Sequence, residues 1–381
     1  MVNPYLPNQP VTPDSFAGRA ELIAKVDDAI DAAQSSLKRS TAILLHGYRG
    51  SGKTSAIRKV RSILSSRVAG MIGIEVQLLA SSNDEKLLTL LLDNLRAQPK
   101  GAAPFWGRIA GLLARVRSVT SPVFGVELSE AAAATPTTAQ ALWNECVAAL
   151  EGAPLIFIAI DDADYLTDEG LGFLKTIAES HSKTPLVLVV AGGPLILDKM
   201  SEAHLSPVAR IFSGAKFNIG ELSRDETFAA IDAPPKEAGI SVDWSSDAKS
   251  RIFEYSHGYP YLVQCLAHSA FERSATSSAE GVESSLELAL RTGEDWLYRA
   301  LPNASEEDVR SFIKILGTGK SSLRSSDMTS LGIRPPYIGR LVRARVLRKI
   351  SYGHYDVIMA PVIGYYHALR RGISTGTRTP T

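Results

Sequence analysis

The sequence predicts an α/β fold, a parallel sheet covered by helices, followed by a helical segment and a small basic terminal domain. Three observations lead there. Short apolar runs at 42–45, 73–79, 155–160 and 186–190 alternate with stretches of helical periodicity. The first of these runs leads directly into a glycine-rich loop and a helical pattern. Past about residue 222 the strand-like runs stop, and a hairpin pattern returns only near the end.

The bulk properties set the frame. A chain of 381 residues is too long for one ordinary domain, and two or three are expected. With 45% hydrophobic and 21% charged residues, it reads as a soluble globular protein. Its two cysteines, Cys146 and Cys265, are expected as buried reduced thiols rather than a disulfide. The start MVNPYLPNQP lacks a basic stretch followed by an apolar core, so no signal peptide is expected. The apolar runs near 154–160 and 185–197 are too short or too glycine-broken to span a bilayer. A cytoplasmic location is the expectation.

In order, the first dozen residues, rich in Pro and Asn, read as an extended arm. Residues 20–33 carry Leu22, Ile23, Val26 and Ile30 at helical spacing. Residues 55–64 and 85–95 read as the helices after the first two strands. At 101–118 an apolar stripe of Phe105, Trp106, Ile109, Leu112, Leu113 and Val116 suits a helix packed on its neighbours, or else a partner surface. The Ala- and Thr-rich stretch 119–140, with Pro122 and Pro136, is the least ordered internal segment expected. Residues 223–233, 245–255 and 260–273 read as a small helical subdomain, and 284–301 as one further helix. Residues 372–381 form a polar tail, expected to be disordered.

Two stretches carry chemistry. Gly47-Tyr48-Arg49-Gly50-Ser51-Gly52-Lys53-Thr54, continued by Ser55, satisfies G-x-x-x-x-G-K-[ST]. Its glycines let successive backbone N–H groups turn toward phosphate oxygens, and the following helix adds its positive end. Lys53 is expected to bridge the β- and γ-phosphates of a nucleotide, and the Thr54 hydroxyl to ligate Mg²⁺. The second stretch is the buried run 155–160, which ends in Asp161-Asp162. Asp161 is expected to hold Mg²⁺ through its water shell, and Asp162 to orient the attacking water.

The order of these features resembles the AAA+ ATPases of the initiator-like, origin-recognition-related and archaeal-type group, including bacterial members with a C-terminal winged helix. The likeness spans nearly the whole chain. Phe16-Ala17-Gly18-Arg19 is similar to that family's F-x-G-R box, which lines the adenine side, so Gly18 and Arg19 join the nucleotide-binding candidates. Pro207-Val208-Ala209-Arg210-Ile211-Phe212 is similar to the segment bearing the arginine finger, with Arg210 at the matching position. On its residues alone, Arg210 reads equally as a helix-surface arginine with a packed stem. Gly258-Tyr259-Pro260 resembles the G-x-P element of the lid, shared with STAND signalling ATPases, and adds Pro260.

The resemblance implies a P-loop NTPase core of the ASCE division at 20–222, after an arm and box at 1–19. A helical lid at 223–301 and a winged-helix domain at 302–371 follow. It implies ATP and Mg²⁺ as ligands, and a finger acting on a neighbouring subunit in a ring or filament. Where hydrolysing relatives carry Glu, this chain has Asp162, and 190–194 (Val-Ala-Gly-Gly-Pro) offers no polar sensor side chain. The lid has Tyr259-Pro260 in place of a sensor arginine. Slow or partner-stimulated hydrolysis is therefore expected.

The net charge of +1 hides an asymmetry. Residues 302–381 hold 13 Lys and Arg against 5 Asp and Glu, an excess of +8 that leaves −7 on the remainder. Helices are expected at 306–316, 323–330 and 335–344, then a hairpin of 346–351 and 354–358 around Tyr352-Gly353. This layout suits a winged helix. Arg340 and Arg343 on its third helix, with Arg348 and Lys349 on the hairpin, are the candidates for duplex DNA contact. The alternative is a protein-contact module in a STAND-like ATP/ADP switch.

Overall fold

The computed structural model describes residues 2–98, 105–116, 138–180 and 183–374. The irregular stretch expected at 119–140 lies almost wholly outside the described residues. So do both ends of the helix expected at 101–118 and all but the start of the tail. The chain divides into two compact units, Arg19–Ile219 and Met1–Gly18 with Gly220–Thr381.

The first unit holds one sheet of five parallel strands in the order β2-β3-β4-β1-β5. These are β1 (Thr41–His46), β2 (Ile72–Gln77), β3 (Ile156–Asp161), β4 (Leu186–Gly192) and β5 (Lys216–Asn218). Around them run α1 (Ala20–Gln34), α2 (Lys53–Arg67), α3 (Asp84–Ala97), α4 (Phe105–Val116), α5 (Ala139–Ala149) and α6 (Asp168–Ala178). Two short helices, α7 (Leu195–Met200) and α8 (Ser206–Ile211), follow β4. Every residue of β3 and β4 is buried, as expected of parallel strands covered on both faces. Ile43, Ile74, Phe157 and Val189 lie within the core. Leu87, Leu91 and Leu95 of α3 and Trp143 of α5 pack over the sheet. Phe105, Ile109 and Leu112 of α4 are buried in that core, so this part of the apolar stripe is packing surface. Four strands lie where expected within a residue or two; β5 has no periodic signal because it is three residues long.

The second unit begins with the arm. Tyr5 is fully buried, its hydroxyl donating to Ile231 O (2.7 Å) and accepting from Trp244 Nε1 (2.8 Å). Helices α9 (Arg224–Glu237), α10 (Ser246–Ser256) and α11 (Pro260–Glu272) fall where three helices were expected, α9 running on past residue 233. The single helix expected at 284–301 is instead three pieces, α12 (Ala279–Ser284), α13 (Leu286–Thr292) and α14 (Glu294–Ala300). The breaks fall at Ser285, which closes α12, and at Gly293, whose Cα lies against Cys265 and Leu297.

Next come α15 (Glu306–Leu316), β6 (Ser322–Arg324), α16 (Ser325–Ser330), α17 (Pro335–Arg343), β7 (Leu347–Ser351), β8 (His354–Val357) and α18 (Pro361–Arg370). The helix expected from residue 323 starts two residues later. Residues 322–324 alternate exposed, buried, exposed, and pair with β8 as a strand instead. The three strands form a sheet in the order β6-β8-β7.

Gly258 sits at φ 71°, and a Cβ there would lie 2.0 Å from the carbonyl oxygen of Leu222. The same backbones are joined by the Leu222 N–H to Gly258 O bond of 2.8 Å. Gly258→Ala is expected to lower stability by about 1–3 kcal/mol, read as a fall in the urea midpoint.

Candidate functional site

Parallel strands present all their carboxyl ends at one edge of the sheet, the usual place for ligand chemistry in open α/β folds. Here β1 ends at His46, in register with Gly192 of β4, and β2 ends at Gln77, in register with Asp161 of β3. Strand β4 lies between β1 and β3. The loop 47–52 leaves β1 at this edge and α2 opens at Lys53. Gly50 and Gly52 take φ of 83° and 97°, which glycine adopts without strain. A Cβ on Gly47 would stand 2.2 Å from Ile219 O, so the loop's first position also needs glycine.

Inside the loop, Lys53 Nζ donates to the carbonyl oxygens of Gly47 (2.9 Å) and Tyr48 (3.1 Å). Burial pulls the lysine below its usual pKa, although the charges of Asp161, Asp162 and Asp164 act in the opposite sense. The Thr54 hydroxyl donates to Asp161 Oδ2 at 2.5 Å, and the Asp162 N–H donates to Asp161 Oδ1 at 3.0 Å. Asp161 is 7% exposed. Burial pushes its carboxyl above the ordinary range, and Asp162 adds to this, while the Thr54 bond and Lys53 partly offset it.

These groups suit a phosphate and a hard cation. Ser51 Oγ is 1% exposed and lacks a hydrogen-bond partner among the described residues, a deficit of about 1–3 kcal/mol. A hydroxyl and a carboxylate, Thr54 and Asp161, are the oxygen donors that Mg²⁺ prefers. Ser55 is buried behind them, and Tyr48 and Arg49 are exposed on the loop's outer side.

Two partners escaped the sequence. Gln77 Nε2 donates to Asp162 Oδ2 at 3.1 Å, and Asp162 itself turns the chain at φ 57°. Asp164 accepts a hydrogen bond from the Gly193 N–H.

The other candidates lie on other elements. Arg210, on α8, is exposed and its side chain has no bonded partner among the described residues, while Val208 and Phe212 beside it are buried. Arg19 opens α1 at φ 64°. Gly18 and Pro260 belong to the second unit, where Gly18 lies against Glu226 and Pro260 is the first residue of α11. Arg340 is not a free surface cation: its Nε donates to Asp308 Oδ1 at 2.8 Å and its guanidinium lies over Tyr337. Burial alone would raise Asp308; the Ser305 and Arg340 bonds overcome this and hold it below the usual range. Arg348 pairs with Asp356 at 3.2 Å, and Lys349 lies over Tyr352. Arg343 is exposed without a bonded partner among the described residues.

Residues 15–190 match the family model for the AAA ATPase domain. The ORC2 protein of Aeropyrum pernix, in its ADPNP–ADP complexes, is similar in structure with a TM-score of 0.55 at 13% identity, covering 96% of this chain and 98% of that one. The core has the AAA+ P-loop ATPase fold. The Walker-type ATPase of Pyrococcus abyssi (16% identity, 92% and 95% covered) and Cdc6p of Pyrobaculum aerophilum (12%, 96% and 96%) score 0.49 and 0.48. At such identities the likeness speaks for the fold alone. No curated protein sequence matches. An AAA ATPase domain implies nucleotide binding, usually with Mg²⁺. Among the described residues no helix is long and apolar enough to cross a membrane.

Because the folded chain raises the Asp161 pKa, its contribution to stability is fully present below the unfolded value and is lost as pH rises through the folded one. Asp161→Asn is therefore expected to raise the melting temperature of the nucleotide-free protein at pH 7 by a few degrees. Scanning fluorimetry from pH 7 down to about 4, the ordinary aspartate value, should show the gain shrinking.

Proposed function

We propose that this chain is a magnesium-dependent AAA+ ATPase with slow hydrolysis, whose nucleotide state governs assembly and engagement of duplex DNA. The observation that carries the reading is the direct bond between Thr54 and the buried Asp161, with Lys53 folded into the loop beside them. When ATP binds, Lys53 exchanges two backbone carbonyls for the β- and γ-phosphate oxygens. Thr54 and Asp161 would hold Mg²⁺, which would supply charge neutralisation on the phosphates. Asp162 then orients and polarises the attacking water.

Two features support slow turnover. Asp162 is one methylene shorter than the glutamate of hydrolysing relatives, and Gln77 draws its carboxylate toward β2. The exposed Arg210, flanked by buried Val208 and Phe212, suits a finger that completes a neighbour's site in a ring or filament. For the terminal domain, α15–α17 and the β7–β8 hairpin support a winged helix. The charge excess of +8 over residues 302–381, with Arg343 and Lys349 exposed, suits a polyanion.

A second reading, a STAND-like switch with a protein-contacting terminal domain, draws support from the cations already in use. Arg340 and Arg348 are held by Asp308 and Asp356, and no polar side chain follows β4 where a sensor would stand.

Lys53→Ala should abolish ATP binding by fluorescent-nucleotide titration, whereas Asp162→Asn should bind normally and lose about 100-fold or more in kcat. Normal turnover by Asp162→Asn would remove that residue from the chemistry. In gel shifts over a salt series, Arg343→Ala with Lys349→Ala should weaken duplex binding and flatten the salt slope by about one per lost phosphate contact. An unchanged slope favours the protein-contact reading.

A further inference from the structure

The loop after β4 lacks the polar side chain expected there, yet it is not without a polar link to the phosphate site. Strands β3 and β4 are neighbours, with Ile160 opposite Val190, so the turns that leave their carboxyl ends lie side by side. From the β3 turn, the Asp164 carboxylate reaches across and accepts the Gly193 N–H through Oδ2. Both oxygens hug that glycine, since a Cβ on Gly193 would stand 3.1 and 3.2 Å from them. The turn that carries Asp164 is fixed by two bonds, Tyr165 N–H to Asp162 O (3.1 Å) and Leu166 N–H to Ala163 O (3.0 Å). It begins at Asp162, the residue assigned to the water. Asp164 also shares with Asp161 and Asp162 an electrostatic influence on the Lys53 ammonium.

We infer that Asp164 is a positioning residue for hydrolysis: anchored on the Gly193 N–H, it joins the end of β4 to the Asp161–Asp162 turn and does from β3 what a side chain on the β4 loop would otherwise do. The inference deepens the ATPase reading and rests on it. A carboxylate is suited to this place because its oxygen accepts from a backbone donor. Gly193 is suited because a Cβ there would crowd both carboxylate oxygens and oblige them to shift.

The test uses the full chain with ATP and Mg²⁺, measuring kcat, KM and the Kd of a non-hydrolysable ATP analogue, with melting curves as a folding control. Asp164→Ala is expected to lower kcat at least tenfold while the analogue Kd stays within threefold. Asp164→Asn, which keeps the acceptor, should recover most of the rate. Gly193→Ala should also slow turnover, and the double variant should be no slower than Asp164→Ala, because both changes break one link. Wild-type turnover by Asp164→Ala overturns the inference, as does a Kd that weakens in step with kcat, or an additive double variant. Should Asp164→Ala fail to fold, Asp164→Asn and Gly193→Ala decide it: turnover by Gly193→Ala equal to wild type, or by Asp164→Asn below a tenth of it, overturns the inference. A wild-type chain that binds the analogue and hydrolyses nothing sinks the ATPase reading and this inference together; activity indifferent to residue 164 sinks only this one.

Discussion

The bond between Thr54 and Asp161 is the constraint on which the candidate site depends. It joins the start of α2 to the end of β3, two elements whose parent strands are not neighbours, because β4 lies between β1 and β3. A short side-chain contact across that gap is possible only where parallel strands end level, as these registers make them do. Burial then sets the chemistry. Asp161 and Lys53 are both shifted toward their neutral forms, despite the attraction between them, because desolvation outweighs it in the nucleotide-free chain. Such a pair suits a cation beside Asp161 and an anion beside Lys53.

The phosphate loop and the acidic strand end were legible because each is encoded in consecutive residues. So were four of the five strands and the helices beside them, whose periodicity survives packing. What escaped depends on strand order. Gln77 meets Asp162, and Asp164 meets Gly193, only because β2, β3 and β4 are adjacent, and no local pattern carries that information. Two element errors have local causes. Helical spacing runs on through Ser285 and Gly293, where the backbone in fact breaks, and β6 is too short for its alternation to stand out from the helix that follows.

In the second unit the sequence presents its cations as equals, and burial separates them. The Asp308 side chain is 8% exposed and belongs to the capping box that starts α15 with Ser305. A carboxylate so placed requires a counter-charge, and Arg340 provides it from α17. The arginine thereby fixes the angle at which α17 offers its remaining surface, with Arg343 one turn along. The setting of this face therefore rests on a guanidinium already engaged within the unit.

The buried phenol of Tyr5 has a consequence for biosynthesis. Its partners Ile231 and Trp244, and His268, which contacts its carbonyl, are encoded more than two hundred residues later. A ribosome adding about 5–20 residues per second releases those partners only after some tens of seconds. All that time the aromatic ring has no interior to enter, while residues 19–219 emerge and can close their own sheet. Burial of Tyr5 thus waits on residues made long after it, whereas the sheet of residues 19–219 draws only on its own strands.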